Sequence, residues 1–173
     1  MERPDLEAEL QRVHSQGFAW AVRCCGGNRT DAEDVLHLAY VKVLEGRARF
    51  DGRSAFRTWL FGVIRLTARE QARGWWAQAE RLGRWWRERS EEAADPIDPM
   101  PSDETGARLK AALKALSRRQ SEVLHLVFYQ DLTIQEAATV LGMPVGTART
   151  HYERGKARLR VALRSAGAPD EAS

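Results

Sequence analysis

Residues 115–160 read ALSRRQSEVLHLVFYQDLTIQEAATVLGMPVGTARTHYERGKARLR, and the punctuation of this stretch separates three helices. Ser117 stands three residues before Gln120, and Thr133 three before Glu136. In that spacing a hydroxyl and a longer polar side chain satisfy each other's orphan N–H groups at the start of a helix. The first helix so opened turns Val123, Leu124, Val127 and Phe128 inward, and the second Ile134, Ala137, Ala138 and Leu141. Gly142 breaks the second helix, and a tight turn through Pro144 starts a long third one. Ahead of all three, Leu109, Ala112, Leu113 and Leu116 give a further amphipathic helix. Two helices joined by a few residues containing glycine, the first with paired alanines that allow close approach, are the sequence form of a helix-turn-helix.

On the last helix Val145, Ala148, Tyr152, Gly155 and Leu159 step by three and four, so they are expected to face the module's own core. Arg149, Thr150, Glu153 and Arg154 then point away from it in the first two turns, where a recognition helix enters the major groove. Arg can bond guanine bidentately, Glu can accept from cytosine, and Thr can touch a thymine methyl. Lys156, Arg158 and Arg160 fall further along and suit phosphates, which position without specifying. A charged, solvated face on an ordinary helix is the competing account; the caps, the turn and the basic run together favour DNA.

Towards the N-terminus the residues from Glu91 to Glu104, EEAADPIDPMPSDE, hold three of the six prolines and six acids, a composition that disfavours helix and buries little apolar surface. They read as an acidic, flexible linker at 91–104, with one module at 1–90, another at 105–165 and a tail at 166–173. In the first module a helix is expected from about Leu6 to Arg23, ended by Cys24-Cys25-Gly26-Gly27. Thr30 and Glu33 have capping-box spacing and open a second, with Val35, Leu36, Ala39, Tyr40 and Val43 on one face. A third begins near Ser54, carrying Phe56, Leu60, Val63 and Thr67 on one side and a ridge of Arg65, Arg69 and Arg73 on another. Asp51-Gly52 could turn a hairpin, but its flanks do not alternate as paired strands should. The expected fold is all-α: two small helical domains.

Charge follows the same division. The net charge of +3 over 173 residues resolves into −3 for residues 1–41, +7 for 42–90, −6 for 91–104, +7 for 105–164 and −2 for 165–173. Clustered Lys and Arg release counterions from phosphates, so two basic blocks point to a nucleic-acid partner. The longest apolar run is Phe18 to Val22, far short of the ~20 residues of a membrane span, so no membrane insertion is expected. Four acids among the first ten residues do not suit a secretory signal, which predicts a cytoplasmic protein. Adjacent Cys24 and Cys25 make no disulfide framework and read as buried, inert thiols, oxidation sensing being the alternative. His14, His37, His125 and His151 are scattered over separate helices without zinc spacing, and no glycine loop cradles a phosphate. No metal, no cofactor and no enzyme activity are expected.

Together, DAEDVLHLAYVKVL (Asp31 to Leu44), FDGRSAFRTWLFGVIR (Phe50 to Arg65) and the stretch Ala115 to Arg160 resemble a bacterial sigma factor of the extracytoplasmic-function type, in its second and fourth conserved regions. The resemblance implies a promoter-specificity subunit that binds core RNA polymerase and promoter DNA. It assigns polymerase docking to Asp34, Val35, His37, Leu38 and Val41. Melting and holding the −10 element falls to the loop from Phe50 to Ala55 and the helix after it, with Arg53, Ser54, Phe56, Trp59, Arg65 and Arg69; Phe56 and Trp59 also fit the core through their shared apolar stripe. Reading of the −35 element falls to Thr147, Arg149, Thr150, His151, Glu153, Arg154, Lys156 and Arg158. The family usually has a Gln–acid pair where this chain has His37-Leu38, an Asn where it has Leu66, and basic and aliphatic residues where it has His151 and Tyr152. An anti-sigma factor is a further implied partner, and the free chain is expected to be a monomer. For Trp75-Trp76 and Trp85-Trp86, a packed helical extension and an anti-sigma docking surface are the two accounts. Rival functions are an autonomous helix-turn-helix regulator and a sigma-like mimic that titrates an anti-sigma factor.

Overall fold

The computed structural model describes residues 3–82 and 111–164, with side chains over 5–73, 111–162 and at 164. Every element among the described residues is helical, in two compact units, Met1–Pro96 and Ile97–Ser173. The acidic stretch 91–104, Trp85-Trp86, the side chains of Trp75-Trp76 and the tail 166–173 lie outside the described residues.

The first unit is built from α1 (Arg3–Arg12), α2 (His14–Cys24), α3 (Arg29–Leu44) and α4 (Phe56–Leu82). The single helix expected from Leu6 to Arg23 is two, divided at Val13, which leaves helical geometry at ψ 7°. Leu10 before the bend and Val13 at it are both buried, so the bend keeps the apolar stripe on the core. The N–H of Gly17 still donates to the Val13 carbonyl, which is why the periodicity ran on unbroken. Asn28, not Thr30, caps α3: its side-chain oxygen accepts from the Asp31 N–H at 3.1 Å. Gly26 and Gly27, at φ 64° and 95°, deliver the chain to that cap, and Asn is the stronger N-cap of the two residues.

Trp20, Val35, Leu36, Ala39, Leu60, Phe61 and Ile64 from α2, α3 and α4 form the core. Trp20 stacks on Phe61 with ring centres 6.2 Å apart, and its indole N–H donates to the Phe61 carbonyl at 3.0 Å. Buried indole N–H groups require such a partner. At the far end of α3, Lys42 donates to Thr67 Oγ1 at 3.1 Å and pairs with Glu70, tying α3 to α4.

In the second unit residues 111–114 are helical, followed by α5 (Arg118–Phe128), α6 (Ile134–Leu141) and α7 (Val145–Arg164). Both expected capping boxes form, Ser117 with Gln120 and Thr133 with Glu136. Gly142 ends α6 at φ 61°, a conformation that favours glycine. Val123, Leu124, Leu126, Leu132, Ala137, Ala138, Leu141 and Ala148 fill the core. Phe128, expected inward, is 58% exposed: it is the last residue of α5 and lies against Tyr152 at 5.9 Å on the surface. Leu126 takes the inward place. Val145, the first residue of α7, is likewise exposed rather than buried.

Candidate nucleic-acid interface

In the second unit α7 follows the α6 turn and presents Thr147, Arg149, Thr150, Glu153 and Arg154 to solvent, with His151 half-buried beside them. Ala148 and Gly155, on the opposite side, are buried and fix this orientation. Thr150 donates its hydroxyl proton to the Gly146 carbonyl at 3.0 Å. Lys156 lies 4.7 Å over the Tyr152 ring and donates to Glu153 at 3.4 Å, so its charge sits beside the reading turn. Arg158 is exposed, and one nitrogen of its side chain, Nη1, has partners within the unit. Its guanidinium donates to the Ala115 carbonyl at 3.3 Å and to Gln120 Oε1 at 3.2 Å, which ties α7 to the first cap of the module. A shallow groove beside it is lined by Phe128, Lys156, Leu159, Arg160 and Arg164.

In the first unit the loop between α3 and α4 carries Arg47, Arg49 and Arg53 outward. Asp51 shapes its tip, accepting from the Arg53 N–H at 3.1 Å, and Gly52 turns it at φ 75°. Ser54 is half-buried there. Behind the tip three rings meet: Phe50 to Phe56 at 5.5 Å, Phe50 to Trp59 at 5.3 Å and Phe56 to Trp59 at 5.4 Å. Phe56 is buried and supports the cluster from inside, while Phe50 and Trp59 are half-buried. Phe50 opens the loop to which the resemblance gives the −10 element, but it is not among the residues named individually there, although an aromatic opening an arginine-rich loop is a signal for it.

The expected arginine ridge on α4 is shorter than its spacing suggested. Arg69 and Arg73 are exposed, but Arg65 is 3% exposed. Each four-residue step rotates about 40° around a helix, which brings Arg65 next to the buried side that holds Phe61 and Ile64. Leu66, its neighbour, is the residue turned outward.

On α3 the residues Asp34 and His37 are exposed, and Leu38 and Val41 half-buried; their spacing of three and four places them on one face. Val35 does not share it. Successive helical residues diverge by about 100°, and Val35 is wholly buried in the core. Two groups of this unit have shifted ionisation. Burial pushes the Tyr40 hydroxyl up to about 12, with the His14 ring nitrogen 3.2 Å away. Burial, aided by the Asp31 carboxylate, pushes the Cys25 thiol up to about 12. Among the described residues no cluster of three or more His, Cys, Asp or Glu could hold a metal ion, and no helix is long and apolar enough to cross a membrane.

Residues 10–77 match the family described as Sigma-70 region 2, and residues 106–159 that described as Sigma-70 region 4. The RNA polymerase sigma-E factor of Streptomyces avermitilis is 31% identical over 169 residues, covering 91% of this chain and 84% of that protein. The ECF RNA polymerase sigma factor SigW of Bacillus subtilis is 29% identical over 146 residues, covering 80% and 78%. Among solved structures, the sigma factor RpoE of Bartonella quintana, in complex with the anti-sigma factor NepR, superposes with a TM-score of 0.69 at 23% identity, covering 92% of this chain and 97% of that one. CnrH, in complex with the cytosolic domain of CnrY, gives 0.61 at 25% identity, covering 95% and 90%. With both regions matched in order, each on a helical unit of its own, the chain belongs to the extracytoplasmic-function sigma factors of the sigma-70 family, the initiation factors that direct RNA polymerase to chosen promoters.

Proposed function

We propose how this sigma factor divides its work among named residues. Asp34, His37, Leu38 and Val41 form the docking face for core polymerase. The loop of residues 45–55, with Phe50, Trp59, Arg53 and Arg69, holds the melted −10 strand: exposed arginines take its phosphates and half-buried rings offer stacking faces for its bases. Thr147, Arg149, Thr150, Glu153 and Arg154 read the −35 duplex in the major groove. The chain acts in the cytoplasm and catalyses nothing itself; the chemistry of transcription is the polymerase's.

The observation that carries this division is the contrast between the two exposed faces. An aromatic cluster framed by arginines suits unpaired bases, whereas a helical turn whose exposed side chains are Thr147, Arg149, Thr150, Glu153 and Arg154 suits a paired groove. Reconstituted transcription with core polymerase over a promoter library tests it. Arg53→Ala is expected to keep core binding and lose strand opening, and Arg149→Ala to keep opening and relax −35 choice. Binding to core without any start-site preference would overturn the assignment. CnrH is seen held by the cytosolic domain of CnrY, and for this chain too an anti-sigma protein is the partner that keeps it from polymerase.

A further inference from the structure

Among the described residues of the first unit, Leu66 is the one large apolar side chain left exposed, at 56%. It lies midway along α4, on the side opposite Leu60, Phe61, Ile64 and Ala68, which are buried. An isolated exposed leucine is ordinary on a protein surface; the setting of this one is what gives it meaning. Seven residues along a helix return to nearly the same direction, so Trp59, Leu66 and Arg73 form one stripe, each about 10 Å from the next. Arg69 flanks the stripe, and Gly62 puts no side chain between Trp59 and Leu66. Glu70, the acid nearest this stripe, is turned to Lys42 of α3. Beside this Lys42–Glu70 pair, whose carboxylate side chain is itself 52% exposed, stands an apolar spot with an aromatic ring on one side and two exposed arginines on the other.

Such a surface fits a polyanion that carries an apolar group of its own, and the bases of DNA offer one, the C5-methyl of thymine. A protein partner would need acidic groups to meet Arg69 and Arg73, and an apolar patch to cover more than a single side chain. We propose that Leu66 makes an apolar contact with the methyl group of one thymine of the −10 strand and sets a preference for thymine at that position. The inference rests on the assignment of the −10 strand to this end of the unit.

The test uses holoenzyme, this chain with core polymerase, on a forked DNA bearing a −10 strand recovered from the promoter library. Thymine is replaced by deoxyuridine at one position at a time, which removes only the methyl group. At one position the wild-type holoenzyme is expected to lose about fourfold in affinity, the value of one buried methyl group. Leu66→Ala is expected to show no thymine–deoxyuridine difference there, and to bind core polymerase as the wild type does. A recovered −10 strand without thymine, a wild type indifferent to deoxyuridine everywhere, or a difference that persists in Leu66→Ala would each overturn the role of Leu66 while leaving the −10 assignment standing. Weakened core binding by Leu66→Ala, with thymine preference intact, would make Leu66 a protein contact instead. Holoenzyme that ignores the forked strand altogether would bring down the −10 assignment itself, and this inference with it.

Discussion

Gly155 on α7 packs so closely on Leu124 of α5 that a β-carbon added there would stand 2.8 Å from Leu124 Cδ1, with Gln120 Cβ at 3.3 Å. Both neighbours are buried, so neither can swing into solvent. The contact sets how near the recognition helix lies to the helix behind it. In Gly155→Ala the gain in helix propensity, about 1 kcal/mol, opposes an overpacking cost of roughly 1–3 kcal/mol. A net loss of stability in the second unit is expected, read by denaturant unfolding. Leu124→Ala should cost less in the Gly155→Ala background than in the wild type, because the methyl group partly fills the space. Equal costs in the two backgrounds would show that the contact does not couple the helices.

What the sequence could show depended on how local the signal was. The capping boxes of Ser117 and Thr133 involve groups three residues apart, so spacing alone identifies them, and α6 and its glycine stop follow. Asn28 and Thr30 are both competent caps two residues apart, and only the path of the chain out of Gly26-Gly27 decides between them. The site was less legible. A ridge written as Arg65, Arg69 and Arg73 drifts around the helix, and whether its first member is buried depends on what α2 and α3 press against α4. The ring contacts of Phe50 were hidden for a related reason: the sequence places it at the start of the loop, but nothing near it says that it will meet Phe56 and Trp59.

Alkaline pH should weaken the first unit. Tyr40 and Cys25 are each pushed up to about 12 by burial, whereas in an unfolded chain they ionise near about 10 and 8.5. The folded state therefore keeps protons that the unfolded state gives up, and stability falls as pH rises. Their contribution is full below about pH 8.5 and is lost progressively towards pH 12. Denaturation midpoints measured across that range should decline, and Tyr40→Phe should flatten the upper part of the decline. Cys25 should alkylate far more slowly in the folded chain than in denaturant. A midpoint indifferent to pH would contradict both shifts.

The docking face of α3 predicts a contrast between adjacent residues. Asp34 is exposed and Val35 wholly buried, so Asp34→Ala should weaken core polymerase binding and leave the unfolding midpoint within about 0.5 kcal/mol. Val35→Ala should do the reverse, costing roughly 1–3 kcal/mol of stability through the lost apolar burial and the cavity left behind. Competition binding to core polymerase and chemical unfolding on the two variants separate the roles. If Asp34→Ala binds core as tightly as the wild type, the docking face lies elsewhere.

Arg149 and Arg158 stand nine residues apart on α7 and should behave as different kinds of arginine. Arg149 is exposed in the reading turns; Arg158 donates to Ala115 and Gln120 within its own unit. Arg149→Ala is expected to cost roughly 1–3 kcal/mol at one −35 base pair and to relax choice there, with the stability of the unit unchanged. Arg158→Ala removes hydrogen bonds from a charged donor and should cost stability by about 1–2 kcal/mol. Its effect on DNA should be small, because the hydrogen bonds of Nη1 to Gln120 Oε1 and a backbone carbonyl hold the guanidinium against its own unit. The dependence of promoter binding on salt decides the point. A residue that neutralises one phosphate lowers the slope of log affinity against log salt by about 1 when removed. Arg158→Ala should leave that slope where it was; a loss of one unit, with stability intact, would return Arg158 to the DNA face.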